Sequence, residues 1–249
     1  VYSFENANSD STHAAFESML QSPLRMTLAH LVFMSINVLI VSFGLKRGIE
    51  RVASTFMPML LLLLVIMTAY SFYAGAPSKA LHFLFHFDLS SITNEVILMA
   101  AGQSFLSIGL CSGMMMICGA YLPNNISIPR MAVIIASTDT LVAILAGLLI
   151  FPLVFGYGLQ PAQGPGLIFE TLPIAFAQMP MGYLFGISFF LLLFFASVTS
   201  SVALLEHVVS WFMHSYEFSR IHASIIIGLS AWFLGLISVV SFNLLAKAD

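Results

Sequence analysis

The stretch AAGQSFLSIGLCSGMMM, residues 100–116, lies in one of the most apolar parts of the chain, yet it holds three glycines, three serines and a glutamine. Glycine and serine are poor residues for a helix interior. Inside a membrane, non-helical backbone persists only where it is buried in protein or lines a cavity. The sequence therefore predicts a membrane-spanning helix that is interrupted over Gln103–Gly113.

Close helix packing is an alternative explanation of this stretch, because helices in membranes approach each other through small residues spaced four apart. Gly109 and Gly113 have that spacing. The alternative does not explain the polar side chains of the stretch, which are Gln103, Ser104, Ser107 and Ser112. We therefore favour a functional interruption.

The composition excludes a soluble domain. Of the 249 residues, 59% are hydrophobic and 8% are charged, whereas soluble domains carry about 25% charged residues. A net charge of −3 gives no support for nucleic-acid binding. Cys111 and Cys118 share one apolar segment, which argues against a disulfide framework. The fold class is therefore predicted to be an all-α polytopic membrane protein in contact with lipid.

Six segments are long and apolar enough to cross a membrane, which takes about 20 residues. They are residues 26–45, 52–74, 96–122, 131–157, 181–205 and 221–243. These spans make residues 26–249 a single transmembrane domain, preceded by an extracellular loop at 1–25. The linker at 166–179 is too apolar for a solvated loop and is broken by proline, so we predict an extracellular helical hairpin there.

The orientation follows from lysine and arginine in the short loops, which favour the cytoplasm. One side of the predicted membrane has five of these residues and the other has three. The cationic side carries Lys46, Arg47, Arg51, Arg130 and Arg220. We therefore expect this side to be cytoplasmic and both chain ends to lie outside.

Asp139 is the only acid well inside a predicted span. A carboxylate at mid-membrane costs at least about 2.5–3.5 kcal/mol, and it normally faces a partner, water or a cation. Its neighbours Ser137, Thr138 and Thr140 add further oxygen atoms. A position of Asp139 near the membrane edge is the alternative.

Hydroxyl groups also interrupt the apolar fifth span, at Thr199, Ser200 and Ser201. Such hydroxyls often bond only to the carbonyl four residues earlier, which is the alternative to a binding role. Sites made of oxygen atoms alone suit hard cations such as Na⁺. Asn37 in the first span is predicted to make an interhelical bond, and Glu206 is predicted to mark the cytoplasmic edge.

Five motifs resemble those of the neurotransmitter:sodium symporters, in particular the bacterial members, which include amino-acid transporters. The motifs are GIERVASTFMP (48–58), GQSFLSIGLCSGM (102–114), LAGLLIFPLVF (145–155), GPGLIFETLPIAFAQMP (164–180) and FLLLFFASVTSSVALLE (190–206). The resemblance implies a partial inverted-repeat, leucine-transporter-like fold in the cell membrane, the bacterial inner membrane in our expectation. It assigns the spans to helices four to nine of about twelve, so we expect a fragment that lacks the first helices.

The resemblance also implies binding residues. Those matching the substrate pocket are Leu106, Ser107, Gly109, Ser112, Ser200 and Leu204. Those expected at sodium are Ser107, Thr138, Asp139, Ala196, Thr199 and Ser200. In animal relatives chloride supplies a negative charge near the positions of Gln103 and Asp139. We expect Asp139 to supply that charge here, so that chloride is not required.

Two positions depart from the family pattern. Relatives often have an aromatic side chain at the position of Leu106, where it closes the substrate pocket, and often another at the position of Ser112. Losing both side chains implies a wider or differently shaped pocket, which leaves the substrate open.

The functional expectation is a Na⁺-coupled symporter of a small amino acid or related solute, working by alternating access. A channel is an alternative, but the sequence lacks the charge rings and filter loops of such pores. A truncated, non-transporting membrane interaction protein is the second alternative. We do not expect an enzyme, since no nucleophile–base pair or cofactor fingerprint is evident.

Overall fold

A computed structural model of the chain describes residues 9–86, 88, 92–109, 113, 119, 126–161 and 164–241. Within these ranges the regular structure is helical, as predicted. The α-helices are α1 (Ser9–Leu20), α2 (Pro23–Ser42), α3 (Glu50–Ala74), α4 (Pro77–Phe85), α5 (Asn94–Ile108), α6 (Ile128–Gly156), α7 (Leu172–Gln178), α8 (Gly182–Tyr216) and α9 (Arg220–Val240). Short π-helical segments at Leu45–Ile49 and Leu167–Thr171 precede α3 and α7.

Five helical segments of the described chain are long and apolar enough to cross a membrane. They are Pro23–Ser42, Arg47–Ala74, Ile128–Gly156, Gly182–Tyr216 and Arg220–Val240. Each corresponds to a predicted span, although α8 continues beyond the predicted end at residue 205. The remaining predicted span, 96–122, is represented by α5, and residues 110–112, 114–118 and 120–122 of it lie outside the described residues.

Two predicted connections differ in the structure from what the sequence indicated. The loop predicted at 1–25 includes α1, whose Phe16 ring stacks on Phe169 with ring centroids 5.6 Å apart. The hairpin predicted at 166–179 is a single helical segment that ends in α7. The chain then reverses into the start of α8, where the ring of Phe185 contacts the ring of Phe176 in α7. These aromatic contacts stabilise helices in segments that are individually short or polar.

The described chain divides into two compact units. The first unit contains residues 1–63 and 159–249, and its core lies among α2, α8 and α9. The most buried side chains of that core are Val41, Val198, Val202 and Val209, together with Ala223. Helix α9 approaches α2 closely at Gly228, where an added Cβ would overlap the side chain of Val38.

The second unit contains residues 64–158. A seam of hydrogen bonds joins the end of α3 to α6. The hydroxyls of Thr68 and Ser71 donate to the carbonyls of Leu145 (3.3 Å) and Leu149 (2.6 Å). One turn further along, the backbone N–H of Ala76 donates to the carbonyl of Pro152 at 2.8 Å. The seam satisfies polar groups that would otherwise be costly inside a membrane.

Candidate functional site

Helix α5 ends at a glycine in the middle of the stretch that the sequence marked as interrupted. Gly109 has the left-handed conformation (φ 72°, ψ 29°), and its N–H donates to the carbonyl of Leu106. Glycine adopts this conformation without steric cost and is a common end for a helix. The residues from Gln103 to Ile108 are still helical, so the interruption begins at Gly109 and not at Gln103 as predicted. Gly113 also has a positive φ, of 70°.

The last turn of α5 carries a hydroxyl that meets the acid of α6. Ser107 Oγ donates a hydrogen bond of 2.7 Å to Asp139 Oδ2. Hydrogen bonds to a carboxylate are stronger than those between neutral groups. This contact brings together two of the residues predicted to bind sodium, and it links the end of α5 to α6 within the second unit.

Asp139 is the twelfth residue of α6, about 16 Å along the axis from Ile128. The hydrocarbon core of a bilayer is about 30 Å thick. Asp139 therefore lies well inside a 29-residue helix, and its depth in the membrane stays a prediction. The adjacent Thr138 is exposed in the second unit, which leaves its hydroxyl open to a ligand.

The predicted substrate residues on α5 are open to their surroundings. Leu106 is 73% exposed, and Ser107 is exposed as well. Gln103, which was predicted in the region of the anion site, is also exposed. Ser112 lies outside the described residues.

In the first unit, α8 presents the second group of predicted sodium ligands. Ala196, Thr199 and Ser200 lie on one face, because residues three and four apart are neighbours on a helix. The hydroxyl of Thr199 donates within its own helix, where the carbonyl oxygens of Phe195 and Ala196 lie 2.9 Å and 3.0 Å from Oγ1. The local bonding weighed as the alternative is therefore present. A hydroxyl that donates its proton to the backbone keeps its lone pairs for a cation.

Ser200 completes this face. Its side chain is exposed, as is that of Leu204 one turn later. The exposed hydroxyl suits the two roles predicted for Ser200, in sodium and in substrate binding.

The interhelical bond predicted for Asn37 is present in the structure, whereas the ion pair made by Glu206 was not predicted. Asn37 makes the predicted interhelical bond, since it accepts from Ser201 Oγ at 2.6 Å. Glu206 is only 4% exposed, and Arg220 of α9 pairs with it. Its place at the cytoplasmic edge of the membrane stays a prediction. Opposite charges near the facing ends of two consecutive spans were the available signal for this ion pair.

The chain was compared with known protein families. The model of the sodium:neurotransmitter symporter family matches residues 11–244.

Individual proteins give the same result. An uncharacterized sodium-dependent transporter of Bacillus subtilis (strain 168), YhdH, is 37% identical over 94% of this chain and 52% of its own length. Another from Haemophilus influenzae (strain Rd) is 32% identical over 86% of this chain and 46% of its own. The chain therefore spans about half the length of the curated relatives it matches.

A solved structure has the same fold. The crystal structure of MhsT in complex with L-phenylalanine matches 98% of this chain and 56% of that protein, with a TM-score of 0.85 and 37% sequence identity. Together with the five apolar spans, these matches make the chain a multi-pass membrane protein of a transporter family and not an enzyme. The chain belongs to the sodium:neurotransmitter symporter family.

Proposed function

We propose that this chain forms part of a sodium-coupled symporter of a small amino acid or a related solute, which works by alternating access. The observation that carries the proposal is the hydrogen bond between Ser107 and Asp139, next to the point where α5 ends at Gly109. The last carbonyls of a helix have no N–H partner within the next turn of that helix, and a carboxylate and a hydroxyl lie near this helix end. Such an arrangement is suited to a hard cation and a zwitterionic solute.

The proposed sodium ligands form two groups. Ser107, Thr138 and Asp139 supply two hydroxyls and a carboxylate. The other group consists of the carbonyl of Ala196 and the hydroxyls of Thr199 and Ser200. Sodium bound to these groups favours the outward-open state and completes the substrate pocket, which couples the two binding events positively.

The proposed substrate residues are Leu106, Ser107, Gly109, Ser112, Ser200 and Leu204. An amino acid is supported as the solute class by MhsT, whose crystal structure contains L-phenylalanine. The absence of an aromatic side chain at Leu106 and Ser112 makes this pocket different in shape, so the preferred side chain is expected to differ from that of the relatives that retain the aromatics.

The first experiment determines the complete reading frame around residues 1–249 and reconstitutes its product in proteoliposomes. Uptake of a panel of radiolabelled amino acids is measured under an inward Na⁺ gradient and under an equal K⁺ gradient. We expect saturable uptake of at least one solute with Na⁺ and background uptake with K⁺. Equal uptake under both gradients would contradict the sodium coupling, and a solute-independent current would favour a channel.

A further inference from the structure

A buried polar pair joins α2 to α8 close to the proposed sodium ligands. Asn37 is 1% exposed. Its side-chain oxygen accepts a hydrogen bond of 2.6 Å from Ser201 Oγ, and its Nδ2 donates to the carbonyl of Phe33 at 2.8 Å. The amide therefore has a partner on each helix.

The surroundings of this pair are apolar. Val41, Val198 and Val202 are each at most 2% exposed, and they belong to the core of the first unit. A buried polar group that loses its partner in such surroundings is costly, whereas a satisfied pair favours one arrangement of the helices over others. The Asn37–Ser201 bond therefore selects one register and one rotation of α8 against α2.

Ser201 directly follows Ser200 in α8. Ala196, Thr199 and Ser200 share one face of the helix, and Ser201 lies about 100° further around the axis. Rotating a helix by roughly 10° moves a side-chain oxygen about 5 Å from the axis by about 1 Å. A binding site needs its groups to be held within about 0.5 Å. The rotation of α8 consequently decides whether these oxygen atoms form a good cation site.

We propose that Asn37 is a positioning residue for sodium: it fixes the rotation of α8 through Ser201 and thereby sets the affinity of the Ala196–Thr199–Ser200 face for Na⁺. Asn37 does not itself touch the ion. The inference rests on the proposed function, because it takes this face to be a sodium site.

Ser201 has a second set of acceptors, the carbonyls of Ser197 (2.8 Å) and Val198 (3.2 Å). One hydroxyl proton cannot serve all three acceptors fully, so substitutions must test whether the bond to Asn37 matters. The variants Asn37→Leu and Ser201→Ala each remove it, and Ser201→Thr retains a hydroxyl. Ser35→Ala on α2 and Ser188→Ala on α8 are matched controls, since within the described part of the chain each of these serines bonds only to its own helix.

The experiment measures substrate binding to the complete protein as a function of Na⁺ concentration. We expect Asn37→Leu and Ser201→Ala each to raise the half-saturating Na⁺ concentration roughly three- to tenfold, the equivalent of one net hydrogen bond. The double variant should resemble the single ones, because both remove the same bond. Ser201→Thr and both controls should stay within about twofold of wild type, and substrate affinity at saturating Na⁺ should be unchanged.

The outcomes separate the two proposals. Sodium-independent binding by the wild type would overturn the proposed function, and this inference with it. If the wild type binds substrate in a sodium-dependent way and Asn37→Leu and Ser201→Ala have the same half-saturating Na⁺ concentration as the wild type, the inference alone is overturned. It is also overturned if the control variants Ser35→Ala and Ser188→Ala raise this concentration equally, or if saturating Na⁺ does not restore substrate affinity. Either result would indicate a general structural role. If Asn37→Leu does not fold, Ser201→Ala and Ser201→Thr decide between these outcomes.

Discussion

The carboxyl group of Asp139 accepts a hydrogen bond from the hydroxyl of Ser107. In the proposed mechanism this charge offsets that of the transported cation, which makes an added anion unnecessary. The residue would therefore decide the anion requirement of transport.

Replacing Asp139 with serine tests this role. We expect the wild-type protein to transport without chloride, and Asp139→Ser to transport only when chloride is present, because the anion then supplies the missing charge. Uptake is measured with chloride or with gluconate as the anion, and Ser137→Ala is a neighbouring control. Normal chloride-free uptake by Asp139→Ser would show that the idea is wrong.

Glu206 is a second acidic residue with a specific partner, Arg220, and the stability of the protein is expected to depend on this ion pair. Arg220 Nη1 donates to Glu206 Oε1 at 3.3 Å, Nη2 contacts the same oxygen, and the carboxylate is almost fully buried. Removing one member of such a pair leaves a buried charge without compensation, which costs about 3–5 kcal/mol. Replacing both members with apolar side chains is often nearly neutral.

We therefore expect Arg220→Met to lower the thermal unfolding midpoint clearly, and Glu206→Leu combined with Arg220→Met to recover much of that loss. The midpoint is measured on purified protein in detergent. Arg130→Met is the control, since Arg130 is exposed and has no ion-pair partner among the described residues. Equal midpoints for Arg220→Met and Arg130→Met would contradict a stabilising pair.

At the scale of the helices, the packing of α3 against α6 depends on a close approach of the two backbones at Gly75 and Pro152. A Cβ at Gly75 would overlap the carbonyl of Pro152 and would lie 2.9 Å from that of Ser71. The same carbonyl of Pro152 accepts from the N–H of Ala76. Any side chain at residue 75 must therefore separate the two helices and weaken the seam of hydrogen bonds between them.

Gly75→Ala is expected to destabilise the protein by roughly 1–3 kcal/mol, the usual cost of overpacking. Gly102→Ala is the matched variant, because no atom of the described residues lies within 4 Å of a Cβ at that helical glycine. It should be neutral or stabilising by up to about 1 kcal/mol. Both are compared by thermal unfolding, and a tolerated Gly75→Ala would show that the helices can separate without loss.

At the scale of the whole molecule, the spans were readable from the sequence because twenty apolar residues are a strong signal. The existence of a break near Gly109 was also predictable, since the glycines and serines of residues 100–116 disfavour a continuous helix. The first residue of the break was not predictable, because Gln103 and Ser104 can be part of a helix that packs against its neighbours. Helix α1 escaped prediction for a related reason: its stability comes from the contact between Phe16 and Phe169, far apart in sequence.

The pairing of side chains was less predictable than their presence. Asp139 and Ser107 are separated by 32 residues, and only the fold brings them together. Burial of Glu206 likewise depends on an arginine in the next helix. A single sequence contains the groups that need partners, while the identity of each partner follows from packing.

The length of α8 has a consequence for how the protein sits in a bilayer. Its 35 residues extend about 52 Å, and even at a tilt of about 40° a helix crosses a 30 Å core in about 39 Å. Two turns or more must therefore project beyond the hydrocarbon. The C-terminal part of α8 carries Trp211 and Tyr216 with ring centroids 6.1 Å apart, and such rings prefer the headgroup region. We therefore expect these two rings to anchor the C-terminal part of α8 at the membrane–water interface. In a thinner bilayer, the tilt of α8 should then change before the depth of this end does.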